Sequence, residues 1–439
     1  MQITRRSVTL GLGCLPFVAQ ALWADDAVIT AEAVLARWYK LTLELVRHTA
    51  TQTPPVASRA FAYLGITAHE VVAGTGASFT LAGQLNGLTA TPACDPAQTY
   101  ALPAMLHAAM AAAVAALFGN TGPTGQRAMD SMTAKLGERV AQGLDAAVLV
   151  RSLEQGRAVA GHILAWSEGD GGAVVENMGF PMTFAKSDVA GAWVPTNLIA
   201  VQQTPLLPNW GQNRPFAMPA GGAPCTVAVT IPYSTEPGSA FWVQAEDVMA
   251  VKAALTDEQK LIARFWSDDP MLSPTPPGHW VSIALQILER DGADVATRAD
   301  VLARVGIAVA DAFVACWATK FEVNLLRPIT YIRKVMGEAK WEPLLNTPPF
   351  PEFPSGHSTQ SAAAAVVLTA CFGENFAFDD ATHQDDGLPV RSFASFAAAA
   401  QEAAISRLYG GIHFREGIEA GLVQGNCVGA YAAALTTKV

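Results

Sequence analysis

The chain has 439 residues, of which 51% are hydrophobic and only 15% are charged, and its formal net charge is −10. Intrinsic disorder is excluded, because it requires low hydrophobicity and high charge. The acidic balance argues against nucleic acid as the main partner, so any anion site has to be a local cluster of basic residues.

The first 24 residues are typical of an export signal. The basic pair Arg5-Arg6 precedes an apolar stretch from Val8 to Ala24, and Asp25-Asp26 then opens a polar segment. This layout predicts a signal peptide over residues 1–24, and the arginine pair favours the twin-arginine route. A membrane anchor is the alternative, although the apolar run is short for a bilayer span of about 20 residues. We therefore expect a periplasmic or secreted protein with no membrane span in the mature chain.

The N-terminal part of the mature chain, residues 25–168, is expected to be helical, because Ala, Leu, Val and Met recur there at helical spacing. The predicted helices cover 31–48, 57–72, 102–118 and 144–167. Residues 169–239 are rich in Gly, Pro and Asn, which predicts a long irregular loop region that crosses the surface or lines a site.

Residues 240–439 are expected to form a second helical half, so the fold class is all-α. A capping box from Thr256 to Gln259 begins a helix that should run to about Trp266. Further helices are predicted at about 279–290, 297–325, 358–372, 393–408 and 416–435.

The six cysteines show no spacing typical of a zinc site. Cys316, Cys371 and Cys427 lie in apolar helical runs and favour buried thiols. Cys94 and Cys225 lie in turn-rich segments, and the sequence leaves open whether they form a disulfide.

Three clusters in the C-terminal half carry candidate chemistry. The first contains Lys320 and Arg327, which are seven residues apart. At about two helical turns, both cations should project from one helix face, and Pro328 should end the helix at Arg327. Two such cations can cradle an oxyanion, whereas the alternative is a solvated charged face.

The second cluster is Pro354-Ser355-Gly356-His357, which precedes an alanine-rich helix. A glycine at the start of a helix allows backbone N–H groups to converge on an anion, and His357 can exchange a proton near neutral pH. A purely structural turn is the alternative.

The third cluster runs from Ser406-Arg407 to His413. Gly410-Gly411 should stop the preceding helix, so that the chain turns and presents His413 beside the next one. Taken alone, a histidine between apolar neighbours, such as His413, is more often a satisfied core residue than a ligand.

The order of these clusters, Lys-x6-Arg-Pro, Pro-Ser-Gly-His and Ser-Arg-x5-His, resembles a known signature. It is that of the superfamily joining type 2 phosphatidic acid phosphatases, bacterial acid phosphatases and vanadium-dependent haloperoxidases. The segment from Phe265 to Asp269 and that from Pro276 to Trp280 also resemble soluble bacterial haloperoxidase-like proteins. The resemblance implies a helical bundle of the haloperoxidase/acid phosphatase type and a vanadate cofactor, with phosphate able to occupy the same site.

The resemblance also implies a role for each matching residue. His413 would ligate vanadium, His357 would act as acid/base at the opposite apex, and Lys320 would in addition polarise peroxide. The residues implied to bind the vanadate oxygens are Lys320, Arg327, Ser355, Gly356 and Arg407. One of Asp268 and Asp269 is expected to hydrogen-bond His357 as part of the catalytic machinery, with a surface turn as the alternative.

One position departs from the family pattern. The family often carries an aspartate four residues after the last histidine, where it orients the ring, and here that position is Gly417. Glu416, Glu419 or a backbone carbonyl is the expected substitute.

Trp317 and Phe350 are candidates for a halide pocket. Trp317 lies one helical turn before Lys320, and Phe350 lies seven residues before His357. In the chloride-oxidising branch of the haloperoxidases an aromatic pair occupies both positions. An apolar wall excludes water and leaves local charges less screened. We expect chloride oxidation at acidic pH with bromide oxidised faster; the alternative is that both rings are core residues.

The sequence thus predicts an enzyme that oxidises halide with hydrogen peroxide and passes the product to a small organic acceptor. Two alternatives stay open. One is an acid phosphatase in which His413 is the phosphoryl-accepting nucleophile. The other is a non-catalytic periplasmic oxyanion-binding protein.

Overall fold

The computed structural model describes residues 29–220 and 223–438. The predicted signal peptide over 1–24 lies outside the described residues. The described part of the chain contains thirteen α-helices and one two-stranded antiparallel hairpin, which confirms the all-α class.

The N-terminal half contains five helices, four of which agree with the sequence prediction. The unpredicted one is α4, which buries only Met129, Leu136 and Val140 and therefore has a weak apolar signal. The five are α1 Ala31–Arg47, α2 Pro54–Ala73, α3 Leu102–Leu117, α4 Pro123–Ala141 and α5 Ala146–Ser167.

The described residues between α5 and α6 are irregular apart from short 3-10 turns, as the sequence predicts. Main-chain bonds attach this segment to the second helical half. The N–H of Trp193 donates to the Asn324 carbonyl at 2.8 Å, and that of Leu206 donates to the Pro349 carbonyl at 2.9 Å. The loop region is therefore ordered against the segments that carry the candidate site.

The C-terminal half contains eight helices and the hairpin. The helices are α6 Ala240–Ala253, α7 Asp257–Phe265, α8 Thr275–Arg290, α9 Val295–Val323, α10 Pro328–Lys334, α11 Gly356–Phe372, α12 Phe396–Tyr409 and α13 Arg415–Ala433. The hairpin strands are β1 Phe378–Asp380 and β2 Arg391–Phe393, with Phe378 opposite Phe393. Thr256 and Gln259 form the predicted capping box of α7.

Helix α9 is the long central helix of the core. It is the one helix in the described part of the chain that is long and apolar enough to cross a membrane, and 94% of its most apolar window is buried within the protein. Its apolar surface is used in packing against neighbouring helices.

The end of α9 differs from the prediction. The helix stops at Val323, and Asn324 follows in the left-handed conformation with φ of +53°. Arg327 therefore lies outside α9, as the residue that caps the start of α10. Lys320 and Arg327 do not share one helix face; a tight turn, rather than helical spacing, sets their relative position.

Helix α13 approaches α11 closely along a row of glycines. A Cβ atom on Gly421 would lie 2.7 Å from the Ser355 carbonyl oxygen, and one on Gly429 would lie 2.6 Å from that of Ala363. Larger residues would force these helices apart. The glycine row thus fixes α13 against the start of α11, where the second motif lies.

A disulfide joins Cys225 to Cys427, with a Cα–Cα distance of 5.5 Å. The expectation of a buried thiol at Cys427 is therefore wrong, and Cys94, the open candidate partner of Cys225, is a free cysteine. The bond ties the loop region to α13 across 202 residues of sequence.

Candidate active site

The three sequence motifs meet in one buried place. Lys320, Arg327, Arg407 and His357 all act electrostatically on His413. These side chains come from the last turn of α9, the start of α10, α12, the first turn of α11 and the α12–α13 turn. The fold thus brings together the residues that the sequence analysis selected.

Lys320 is fully buried and all of its protons are engaged. Its Nζ donates to the main-chain carbonyls of Pro351, at 3.0 Å, Glu352, at 2.9 Å, and Pro354. Burial lowers the pKa of Lys320 to about 8. In this arrangement Lys320 fixes the 351–354 segment, and it would contact an oxyanion only by releasing one carbonyl.

Arg327 is fully buried beside the same segment. Its Nε donates to the Phe350 carbonyl at 2.8 Å, and its Nη1 donates to the Ile412 carbonyl at 2.9 Å and to His413 Nε2 at 3.0 Å. Burial is the main cause that lowers its pKa.

Ser355 caps α11, which begins at Gly356. Its Oγ accepts from the Ser358 N–H at 3.3 Å, and its own N–H donates to the Gly417 carbonyl at 2.8 Å. The start of α11 is therefore attached to α13, and the positive end of the α11 dipole lies in the site.

His357 and Arg407 attach to consecutive main-chain carbonyls just after α7. Arg407 Nη1 donates to the Trp266 carbonyl at 2.8 Å, and the His357 ring bonds the Ser267 carbonyl. Because His357 Nε2 has no partner, Nδ1 is the donor to Ser267 and Nε2 carries a lone pair. Burial and the charge of Arg407 hold the pKa of His357 well below its usual range, so the ring is neutral.

The ring of His413 is oriented by a residue that the sequence analysis did not select. His413 Nδ1 donates to Glu352 Oε1 at 2.7 Å, while Nε2 accepts from Arg327. Burial and the nearby cations hold the pKa of His413 well below its usual range. Its neutral tautomer therefore has the proton on Nδ1 and a lone pair on Nε2, the form that a metal ligand needs.

Glu352 replaces the aspartate that is absent at position 417, so the expected substitution by Glu416 or Glu419 is wrong. Glu416 accepts from the N–H groups of Thr230 and Ile231, and Glu419 is exposed. A Cβ on Gly417 would lie 2.5 Å from Glu352 Oε1. The glycine thus leaves the space that this carboxylate occupies.

The expected hydrogen bond from His357 to Asp268 or Asp269 is not formed. The Asp268 carboxylate accepts instead from His279 Nδ1, at 3.0 Å, and from His383 Nε2, also at 3.0 Å. Asp269 acts electrostatically on Arg407. Asp268 therefore has no hydrogen bond to the site residues, and it acts on them through its own backbone segment and through its charge, which affects His357 and Arg407.

Trp317 and Phe350 are adjacent, with ring centroids 4.9 Å apart. Lys320 Nζ lies 5.9 Å from the Trp317 centroid and 5.3 Å from that of Phe350. The Trp317 indole N–H donates to the Leu206 carbonyl at 3.2 Å. The pair thus forms an aromatic wall beside the lysine, with the loop region behind it.

A tetrahedral oxyanion fits this pocket. Among the described residues, Arg327 Nη2, Arg407 Nε and His357 Nε2 are buried polar atoms without a hydrogen-bond partner. A buried guanidinium N–H without an acceptor is costly, and vanadate or phosphate oxygens would supply acceptors. These atoms, with the lone pair of His413, are the donor set that vanadate requires.

Comparisons with known proteins identify the family of the chain. The family model described as the VCPO second helical-bundle domain matches residues 300–439. None of the curated proteins matches this chain.

Three solved structures of bacterial enzymes are similar over most of the chain. The crystal structure of the first bacterial vanadium-dependent iodoperoxidase has a TM-score of 0.82 and 37% identity, over 94% of this chain and 98% of its own. Holo-type and apo-type bacterial vanadium-dependent chloroperoxidase each have a TM-score of 0.64, at 15% and 14% identity, over 88% of this chain and 94% of theirs. The chloroperoxidase likeness shows the shared fold, whereas the identity to the iodoperoxidase shows descent. The chain belongs to the vanadium-dependent haloperoxidases.

Proposed function

We propose that the protein is a vanadate-dependent peroxidase that oxidises halide with hydrogen peroxide for transfer to a small organic acceptor. The observation that carries the proposal is the set of unpartnered buried atoms on Arg327, Arg407 and His357 beside the neutral His413. Bound vanadate would supply a Lewis acid that activates peroxide without changing its own oxidation state.

Different residues would bind the vanadium and the vanadate oxygens. His413 Nε2 would ligate vanadium, because its lone pair is exposed once Arg327 Nη1 moves to an oxygen. Arg327 and Arg407 would bind vanadate oxygens through donors that their carbonyl anchors leave free, and the Gly356 N–H would add a donor at the start of α11. Ser355 Oγ, which already accepts one N–H, can donate its own proton to a further oxygen.

His357 would carry out the proton transfers. Its Nε2 has a lone pair and no partner, so it can accept the proton of hydrogen peroxide and return it to the departing oxygen. Burial and Arg407 keep the ring neutral and ready to accept. The ammonium of Lys320, beside the aromatic wall, would stabilise negative charge that develops on the peroxide oxygen.

His413→Ala tests the ligand assignment. Purified protein should bind one vanadate per chain, with excess phosphate competing, and this variant should lose affinity by more than about 100-fold, beyond the effect of losing a residue that only orients a ligand. Isothermal titration measures the affinity, and circular dichroism checks the helical fold. Unchanged affinity would contradict the assignment of His413 as the ligand.

Activity assays on the wild-type protein separate the alternative functions. Phosphate release from a phosphomonoester, without halide oxidation, would favour the phosphatase alternative, and vanadate binding without either activity would favour the non-catalytic one.

Glu352→Ala tests the substitute carboxylate. Without an acceptor for the His413 Nδ1–H, vanadate affinity should fall by about 10–100-fold, the usual effect of losing a residue that orients a metal-bound histidine. Glu416→Gln is the matched control and should leave affinity unchanged. Because Gly417 faces the Glu352 carboxylate, the double variant Glu352→Ala/Gly417→Asp should recover part of the loss. An unaffected Glu352→Ala protein would contradict the assignment.

Phe350→His tests the aromatic wall. Similarity to an iodoperoxidase favours iodide as the most readily oxidised halide, and the pair Trp317–Phe350 supports weaker bromide and chloride oxidation at acidic pH. A polar ring would admit water and increase charge screening, so chloride turnover should fall more than bromide turnover. Steady-state kinetics with each halide measure the difference. Equal losses would show that the ring only packs and that halide choice is set elsewhere.

Export to the periplasm is also proposed. It is supported by the Arg5-Arg6 sequence and by the Cys225–Cys427 disulfide, since such bonds persist in oxidising compartments. Replacing both arginines by lysine should retain precursor in the cytoplasm, as measured by fractionation and N-terminal sequencing. Normal export of that variant would indicate a different route.

A further inference from the structure

A buried row of alternating carboxylates and imidazoles lies beside the pocket and has no role in the chemistry above. We call it the imidazole cluster; its members, in order, are Arg47, Asp386, His383, Asp268, His279 and Asp380. The last three members, Asp268, His279 and Asp380, are each at most 3% exposed. It runs from a partly exposed end at Arg47 to a fully buried end at Asp380.

Each imidazole of the cluster lies between two carboxylates. His279 contacts Asp268 through Nδ1 at 3.0 Å and Asp380 through Nε2 at 2.7 Å. His383 contacts Asp268 through Nε2 and Asp386 through Nδ1, both at 3.0 Å. Because carboxylates only accept, every one of these ring nitrogens must carry a proton. Both rings are therefore imidazolium cations.

The charges of the cluster balance. Three carboxylates face two imidazoliums and the guanidinium of Arg47, which is 2.7 Å from Asp386. Burial alone would lower the pKa of His279, but Asp268 and Asp380 outweigh it and raise the pKa to about 10. Burial also lowers the pKa of His383, but Asp268 and Asp386 outweigh it, so the pKa is raised.

The cluster is joined to the pocket through one turn of backbone. Asp268 follows Trp266 and Ser267, whose carbonyls anchor Arg407 and His357. We call these two oxygens the 266–267 carbonyls. The Trp266 ring also stacks on the His279 ring, with centroids 4.4 Å apart.

The turn is held in an unusual conformation. Asp268 has φ of +47°, a left-handed backbone that a residue with a side chain adopts only when its surroundings enforce it. The enforcing contacts are the two imidazoliums, which bind both oxygens of its carboxylate. Loss of either imidazolium would allow the turn, and with it the 266–267 carbonyls, to relax.

We propose that the imidazole cluster is a positioning device: it fixes the 266–267 carbonyls, and these orient Arg407 and His357 toward the oxyanion. Asp268 is its central positioning residue and does not touch substrate. The oxyanion part of this inference rests on the proposed function, whereas the effect on the His357 ring does not.

Asp268→Asn in the mature full-length protein tests the proposal. The amide keeps the size of the side chain but removes its negative charge and replaces one acceptor oxygen with an NH₂ group, which cannot accept from an imidazolium. Vanadate affinity, measured by titration with inorganic vanadate, should fall by about tenfold, the lower end of the effect of losing a residue that orients a metal site. In protein without vanadate, ring ¹⁵N signals should show that His357 changes from the Nδ1–H tautomer to a mixture, because the Ser267 carbonyl has moved.

Asp300→Asn is the matched control. It breaks another buried ion pair, with Arg304 at 2.6 Å, at a position twenty residues before Lys320 on α9, about 30 Å away along the helix axis. It should lower the unfolding temperature but change neither vanadate affinity nor the His357 tautomer. If Asp268→Asn fails to fold, Asp386→Asn at the partly exposed end should give the same changes at smaller amplitude.

Two results would overturn the proposal. One is that Asp268→Asn, like the control, lowers the unfolding temperature but changes neither the His357 tautomer nor the vanadate affinity. The cluster would then only stabilise the fold. The other is one tightly bound divalent ion per chain by elemental analysis, because ligand atoms of Asp268, His279 and His383 lie within 4.8 Å of one another and would then bind metal in place of protons. If the wild-type protein failed to bind vanadate, only the proposed function would be contradicted. The His357 tautomer in Asp268→Asn would still test the role of the imidazole cluster.

Discussion

Buried cations in this pocket are anchored by main-chain carbonyl oxygens. Lys320 bonds three carbonyls of the 351–354 segment, Arg327 bonds those of Phe350 and Ile412, and Arg407 bonds that of Trp266. A carbonyl orients a cation without cancelling its charge, as a carboxylate would. Each arginine thus keeps its positive charge and one free donor inside the protein, and a preorganised anion site follows from this arrangement.

Glu352 is the one carboxylate among the described residues that hydrogen-bonds a pocket histidine, and it shows that the residue orienting this ring can come from a different part of the chain. Glu352 reaches His413 from the segment before α11, while the family's usual aspartate position in α13 is Gly417. The two features depend on each other, because a side chain at 417 would occupy the place of the Glu352 carboxylate. The requirement that is kept is an anionic acceptor for the Nδ1–H of His413, and its position in the sequence is free to change.

Much of the fold and most pocket residues could be predicted from the sequence because their signals are local. The capping box at Thr256 and the helix stop at Gly410 each depend on neighbours within a few residues. The partners that were missed lie far away along the chain: Glu352 is 61 residues from His413, and Cys225 is 202 from Cys427. The periodicity of apolar residues along the sequence gives no information on such distant contacts. The shared helix face for Lys320 and Arg327 was wrong for a local reason, since Asn324 ends α9 before Pro328 is reached.

The two histidines of the pocket depend on separate supports. His413 and Arg327 are held by the segment from Phe350 to Pro354, which Lys320 secures from α9. His357 and Arg407 are held by the 266–267 carbonyls, which the imidazole cluster secures from α8 and the hairpin region. When an oxyanion enters, the rearrangement that frees the ligand histidine is local, because only Arg327 Nη1 has to leave His413 Nε2. The pocket can therefore present a ligand histidine from one support and a proton-carrying histidine from the other. Nε2 of His357 is already free, whereas Nε2 of His413 becomes free when Arg327 Nη1 turns to the anion.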